Sequence, residues 1–328
     1  MTGIELEPQT AAMLARAAAM GVRPIESLSV QDARSELAAL ARLRPAPAGA
    51  CDVRDLLVPV GDGASITARL YLPADAPVPS PVTVYFHGGG HVIGSIDTHD
   101  DVARRTALAS HAALVSVGYR LAPEARFPVA VEDAWAALRW VAHNAADLGL
   151  DASRIAVMGD SAGANLATVT ALRARDDAGP HIALQVLVYP LVDYRLQAAS
   201  FDRYASGYGV LSAQAMRWFR SHYLRTSDDA GDWHASPVLA PRIAGSPPAL
   251  VVAAQCDPLI DDIRLYVERL RAGGVPVEYV EYAGTVHGFF ANPHALDAAR
   301  DANERVADRL RNAFRVHLTG GRDGSRQG

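Results

Sequence analysis

Arg154-Ile155-Ala156-Val157-Met158-Gly159-Asp160-Ser161-Ala162-Gly163 decides the fold. Residues 154–158 form a short apolar run of strand character. Residues 162–175 then read as a helix with apolar positions at helical spacing. Between them lies G-x-S-x-G, with its serine where strand meets helix. A serine on so sharp a turn projects its hydroxyl above the end of a sheet, and the flanking glycines leave room for the tight backbone. The pattern alone is weak, since chance supplies it to roughly one chain in ten of this composition. The bland alternative is a serine on an ordinary strand-to-helix turn, so the surrounding elements have to carry the argument.

Working outward, strand and helix patterns alternate on both sides. Strands are expected at Leu56–Val60, Ile66–Leu72, Pro81–Phe86, Ala113–Val117, Leu184–Tyr189, Ala249–Ala254 and Val277–Tyr282. Helices are expected over 99–111, 131–146, 259–272 and 294–316. Apolar strands alternating with helices imply a mostly parallel, twisted α/β sheet covered on both faces. The first strand pair turns at Gly61-Asp62-Gly63. Two stretches fall outside this rhythm. Residues 1–45 carry two helical patterns, 8–20 and 30–43, the second opened by the capping-box string Ser29-Val30-Gln31-Asp32. Residues 196–240 carry a lone helical pattern, 212–224. The α/β body is then 46–195 and 241–318, and the polar, Gly-rich tail 319–328 is expected to be disordered.

Composition narrows the function. The chain has 328 residues, 50% hydrophobic and 20% charged, with a formal net charge of −5. That suits a globular protein with a large core. It offers no attraction to nucleic acid or to an anionic membrane. The chain has no lysine, so its fixed positive charge is all arginine. No apolar run reaches the ~18 residues that span a bilayer. Met1–Met20 is acidic and Ala-rich with no basic n-region, so no signal peptide is expected. The two cysteines, Cys51 and Cys256, form no C-x-x-C pair and read as small buried hydrophobes. These features favour the cytoplasm. No metal site is indicated, and no cofactor is implied.

His87-Gly88-Gly89-Gly90 follows the strand 81–86 directly. Three glycines let backbone N–H groups face a cavity unobstructed, as an oxyanion hole requires. Gly88, Gly89 and Gly90 are the candidates, with Ala162, the residue after the serine, as a further donor. A phosphate-binding loop is the rival, but no Walker lysine follows and the chain has no lysine at all. A serine nucleophile needs a base, and the base an orienting acid, in the order Ser, acid, His for this fold. Asp257, just past the strand 249–254, fits the acid better than Asp193, Asp261 or Asp262. His287, after the last strand, fits the base better than His294.

These strings together resemble the hormone-sensitive-lipase-like esterases, bacterial lipolytic family IV. The resemblance rests on His87–Gly90, Tyr119-Arg120-Leu121-Ala122-Pro123-Glu124, Gly159–Gly163, Tyr189-Pro190 with Asp193, Asp257-Pro258-Leu259 and His287-Gly288-Phe289, and it covers most of the chain. It implies an α/β-hydrolase fold and a carboxylesterase whose triad is Ser161, Asp257 and His287. It further implies structural roles for His87, Glu124 and Asp133. A helical cap, made here of 1–45 and 196–240, is expected over the site, and the family allows a homodimer. Met216, Phe219 and Tyr223 share one helical face and are candidates for the pocket wall. His91 is another, standing where the family often has an aromatic or large apolar residue. A short- to medium-chain ester is the implied substrate. A lactonase or amidase could use the same triad. A non-catalytic receptor on this scaffold would be expected to lack the base, and His287 is present.

Overall fold

The computed structural model describes residues 5–45 and 47–319. Eight strands form one sheet: β1 (Cys51–Pro59), β2 (Ser65–Pro73), β3 (Ser80–Phe86), β4 (Ala113–Val117), β5 (Leu150–Asp160), β6 (Ile182–Val188), β7 (Ala249–Cys256) and β8 (Val277–Val286). Their order is β1-β2-β4-β3-β5-β6-β7-β8. β2 pairs antiparallel with both neighbours, and the pairs from β4 onward are parallel. Every residue of β3 and β4 is buried. Largely apolar runs such as Val82–Phe86 and Ala113–Val117, broken only by the buried Thr83 and Ser116, suit a sheet covered on both faces.

The helices are α1 (Pro8–Ala19), α2 (Val30–Ala41), α3 (Asp100–Ser110), α4 (Val129–His143), α5 (Ala162–Asp176), α6 (Ala199–Arg203), α7 (Ala213–Tyr223), α8 (Ile260–Ala272) and α9 (Asp297–Thr319). Helices α3, α4, α5 and α8 connect successive strands of the sheet. Helices α1 and α2 precede the first strand, and α6 and α7 lie in the long connection from β6 to its parallel neighbour β7. Ser29 caps α2 as its spacing predicts, accepting from Asp32 N–H at 3.1 Å. Ser212 caps α7 in the same way. The two extra segments meet where Ser212 Oγ donates to Glu26 Oε1 at 2.8 Å. Arg34 ties α2 to the body, donating to Val92 O, Ala122 O and both oxygens of Glu124.

Several boundaries differ from expectation. β5 runs from Leu150 through Asp160, because its pairing with β6 continues to the Asp160–Val188 register, one residue short of the serine. β1 starts at Cys51, five residues early, held by continuous pairing to β2 from Cys51 opposite Pro73. α9 begins at Asp297, since Ala295 and Leu296 N–H first close a turn onto Asn292 O. The tail expected at 319–328 lies outside the described residues, apart from Thr319, which ends α9.

Candidate active site

The strands β3, β5, β7 and β8 run parallel, so the loops at their C-terminal ends gather at one edge of the sheet. That edge is where α/β sheets place their ligands. β4 and β5 flank β3 on opposite sides, and Phe86 of β3 lies in register with Gly159 of β5. The glycine loop after β3 therefore sits beside the elbow after β5.

Ser161 occupies that elbow with φ 55° and ψ −119°. L-residues rarely adopt this conformation, and it costs of the order of 1–3 kcal/mol. Its surroundings hold it there. Ser161 N–H donates to Val188 O at 2.8 Å, and Asn165 N–H and Leu191 N–H donate to Ser161 O. Gly163 lets α5 reach β3, for a Cβ at that position would lie 1.9 Å from Phe86 O.

His287 follows β8 and Asp257 follows β7. His287 Nε2 stands 2.9 Å from Ser161 Oγ, and His287 Nδ1 stands 2.6 Å from Asp257 Oδ2. A carboxylate only accepts, so the imidazole proton sits on Nδ1 and Nε2 is left to accept from the serine hydroxyl. Asp257 is fully buried, and its other oxygen accepts Leu259 N–H at 2.9 Å. The Tyr189 ring packs against the His287 imidazole with centroids 4.5 Å apart.

The rival assignments go elsewhere. Asp193 binds Arg195, two residues on, through both oxygens. Asp261 ion-pairs with Arg264, and His294 is exposed. Asp262 is buried without a partner for Oδ2, and burial, with the Asp193 charge adding to it, pushes its carboxyl up to about 7. Asp133 is buried against Arg120, and Glu124 pairs with Arg34.

The glycine loop differs in one respect from its sequence reading. Gly88 N–H donates to Asp160 Oδ1 at 3.0 Å and is already committed. Among the described residues no acceptor stands opposite the N–H groups of Gly89, Gly90 or Ala162. Behind the loop, His87 is stacked on Tyr119 with centroids 4.4 Å apart. Burial pushes both the His87 and the His91 imidazole down to about 3. His91 lies fully buried, stacked on Tyr223 at 4.0 Å, with Nδ1 2.6 Å from the Tyr194 hydroxyl. Met216, Phe219 and Tyr223 are buried as well, and the Phe219 ring lies directly against Gly90. Sequence reasoning quoted Asp160 and Tyr189 only inside motifs, gave them no role at the site, and passed over Tyr85: Asp160 meets the loop at Gly88 N–H, the Tyr85 hydroxyl donates to Asp160, and Tyr189 packs on the imidazole.

A serine hydroxyl on a strained elbow, hydrogen-bonded to an imidazole that a buried carboxylate orients, beside uncommitted backbone N–H groups, defines a serine hydrolase of the α/β-hydrolase class. Comparison with known proteins agrees. A family model described as the alpha/beta hydrolase fold matches residues 83–291. An ethyl acetate hydrolase of Pseudomonas putida is 36% identical, over 94% of this chain and 99% of its own. The carboxylic ester hydrolase LipN of Mycobacterium tuberculosis is 38% identical, over 97% of this chain and 84% of its own. The solved structure of a hyperthermophilic esterase from Pyrobaculum calidifontis superposes with a TM-score of 0.87 at 39% identity, covering 94% of this chain and 98% of that one. The chain belongs to the hormone-sensitive-lipase-like carboxylic ester hydrolases, bacterial lipolytic family IV. Among the described residues no helix is long and apolar enough to cross a membrane.

Proposed function

We propose that this carboxylesterase cleaves soluble esters with short to medium acyl chains, roughly two to eight carbons, through an acyl-enzyme. Ser161 Oγ attacks the ester carbonyl while His287 Nε2 takes its proton. The imidazolium returns that proton to the departing alkoxide, so the alcohol leaves and the acyl group stays on Oγ. Water, deprotonated by the same nitrogen, then releases the acid. Asp257 keeps the His287 proton on Nδ1 throughout. Gly89, Gly90 and Ala162 N–H receive the developing oxyanion, and Gly88 drops out of that set. The observation carrying this reading is the unbroken line from Asp257 through His287 to Ser161, at 2.6 and 2.9 Å.

Residues 1–45 and 196–240 form the cap in this reading, over a body of 46–195 and 241–318. Met216 and Phe219 line the pocket beneath it, and His91 and Tyr223, fully buried, back that wall rather than form it. An enclosed apolar pocket gains about 0.8 kcal/mol for each CH₂ it buries, until its length is exceeded. Two free cysteines, one of them buried, fit a cytoplasmic location. A homodimer fits the open edge of β8, whose Val277–Tyr282 side chains are half-buried.

The test is kcat/KM across a series of p-nitrophenyl esters. The optimum is expected between roughly two and eight carbons, and in Phe219→Ala it should move to longer chains. A maximum at about sixteen carbons in the wild type would refute the size limit.

A further inference from the structure

The donors of an oxyanion hole act only if they are aimed before the reaction begins. Aim is a property of peptide planes, because C=O and N–H point opposite ways across a trans peptide. Gly88 O accepts from His87 Nδ1–H at 2.8 Å, which turns Gly89 N–H the other way. Gly89 O accepts from Val92 N–H and Ile93 N–H at 3.0 and 2.9 Å, which does the same for Gly90 N–H. The plane before these two is gripped at both ends. His87 O accepts the Tyr119 hydroxyl at 2.7 Å, and Gly88 N–H donates to Asp160 Oδ1 at 3.0 Å.

Asp160 is the last residue of β5 and immediately precedes Ser161. The residue is nearly buried, at 9% exposure. The Tyr85 hydroxyl donates to the same Oδ1 at 2.7 Å, and His99 Nε2 lies 3.8 Å from Oδ2. A Cβ on Gly88 would come within 2.3 Å of Asp160 Oδ2. The loop and the carboxylate are thus in direct contact, with no space for a side chain between them. Asp160 also belongs to the backbone that carries Ala162 N–H, two residues on. One carboxylate therefore joins the two halves of the donor set, the loop after β3 and the elbow after β5.

We propose that Asp160 is a positioning residue for the oxyanion hole: its contact with Gly88 N–H registers the Gly89 and Gly90 donors against Ala162 and Ser161. The inference rests on the assignment of Gly89, Gly90 and Ala162 as oxyanion donors. It goes beyond that assignment by naming what holds them in register. Asp160 touches neither the ester nor the proton in flight. Its removal should leave ground-state binding nearly intact and weaken only what forms in the transition state.

The experiment compares wild type, Asp160→Ala and Asp160→Asn on p-nitrophenyl butyrate and on an alkyl trifluoromethyl ketone. Ser161 adds to this ketone reversibly, giving a hemiketal oxyanion that occupies the hole. Losing one oxyanion donor costs roughly 10²–10³ in kcat, so misaiming two should cost Asp160→Ala at least about 30-fold. KM should stay within about threefold, and the ketone's affinity should fall by the same factor as kcat. Asp160→Asn keeps an oxygen for Gly88 N–H and should recover to within about tenfold of wild type. If Asp160→Ala does not fold, Asp160→Ser, too short to reach Gly88, is judged by the same criteria. A loss confined to thermal stability or to KM, or a loss in kcat that the ketone does not share, overturns the inference. So does an Asn variant no better than Ala. If wild type binds the ketone no more tightly than Ser161→Ala does, the donor assignment fails and the inference with it. If wild type binds it tightly and Asp160→Ala does too, the inference alone fails.

Discussion

Replacing His91 with phenylalanine should flatten the protein's acid sensitivity by a calculable amount. Burial pushes this imidazole from 6.5 down to about 3. The unfolded chain therefore binds a proton that the folded protein refuses between those two values. A group depressed in this way lends stability that is fully present above its unfolded pKa and is lost as pH falls towards its folded one. At 1.36 kcal/mol per pH unit, the loss at pH 5 relative to pH 8 is about 2 kcal/mol. The phenyl ring can keep the stacking on Tyr223 but leaves the Tyr194 hydroxyl without its partner 2.6 Å away. That orphaned group costs about 1–3 kcal/mol, at pH 8 and pH 5 alike. The absolute stability of His91→Phe is thus uninformative, and the slope carries the test. Urea unfolding at pH 8 and pH 5 should show the wild type losing about 2 kcal/mol more than the variant between the two. A difference under about 0.5 kcal/mol would mean that the folded protein accepts the proton readily, and the reasoning from burial would be wrong.

Two further outcomes follow from the site and its surroundings. Ser161→Ala should lower kcat by about 10⁴-fold or more while far-UV circular dichroism stays unchanged, and a purified variant retaining over about a tenth of wild-type kcat would exclude Ser161 as nucleophile. Asp262 has its folded pKa raised to about 7, so its contribution is complete below the unfolded value of about 4 and is lost as pH rises through about 7. Asp262→Asn should therefore melt higher than wild type at pH 8 and keep less than about half of that advantage at pH 5; parallel melting curves across that range would sink this account.

Much of the architecture was legible because burial writes itself into periodicity. The apolar runs Val82–Phe86 and Ala249–Ala254 belong to interior strands of the sheet. The triad-like arrangement of Ser161, His287 and Asp257 was legible because each follows a strand that could be recognised, in the order this fold requires. The commitment of Gly88 was not. Its acceptor, Asp160, lies far away in sequence and comes near only because Phe86 and Gly159 share a register across β3 and β5. Periodicity reports which face of a strand is buried, not which acceptor a loop N–H will meet. The early start of β1 was hidden for a similar reason. Asp52 and Arg54 are polar, and only their pairing with β2 makes them strand.

The backbone at Ser161 sets two demands on the chain against each other. Glycine alone sits comfortably at φ 55° and ψ −119°, and glycine has no nucleophile. Among residues able to react, each would carry the same strain, so no choice of side chain there serves chemistry and foldedness together. Selection for durability alone would empty this position. A serine there spends part of the fold's stability on one side chain, and the hydrogen bonds around the elbow hold the strained backbone in place.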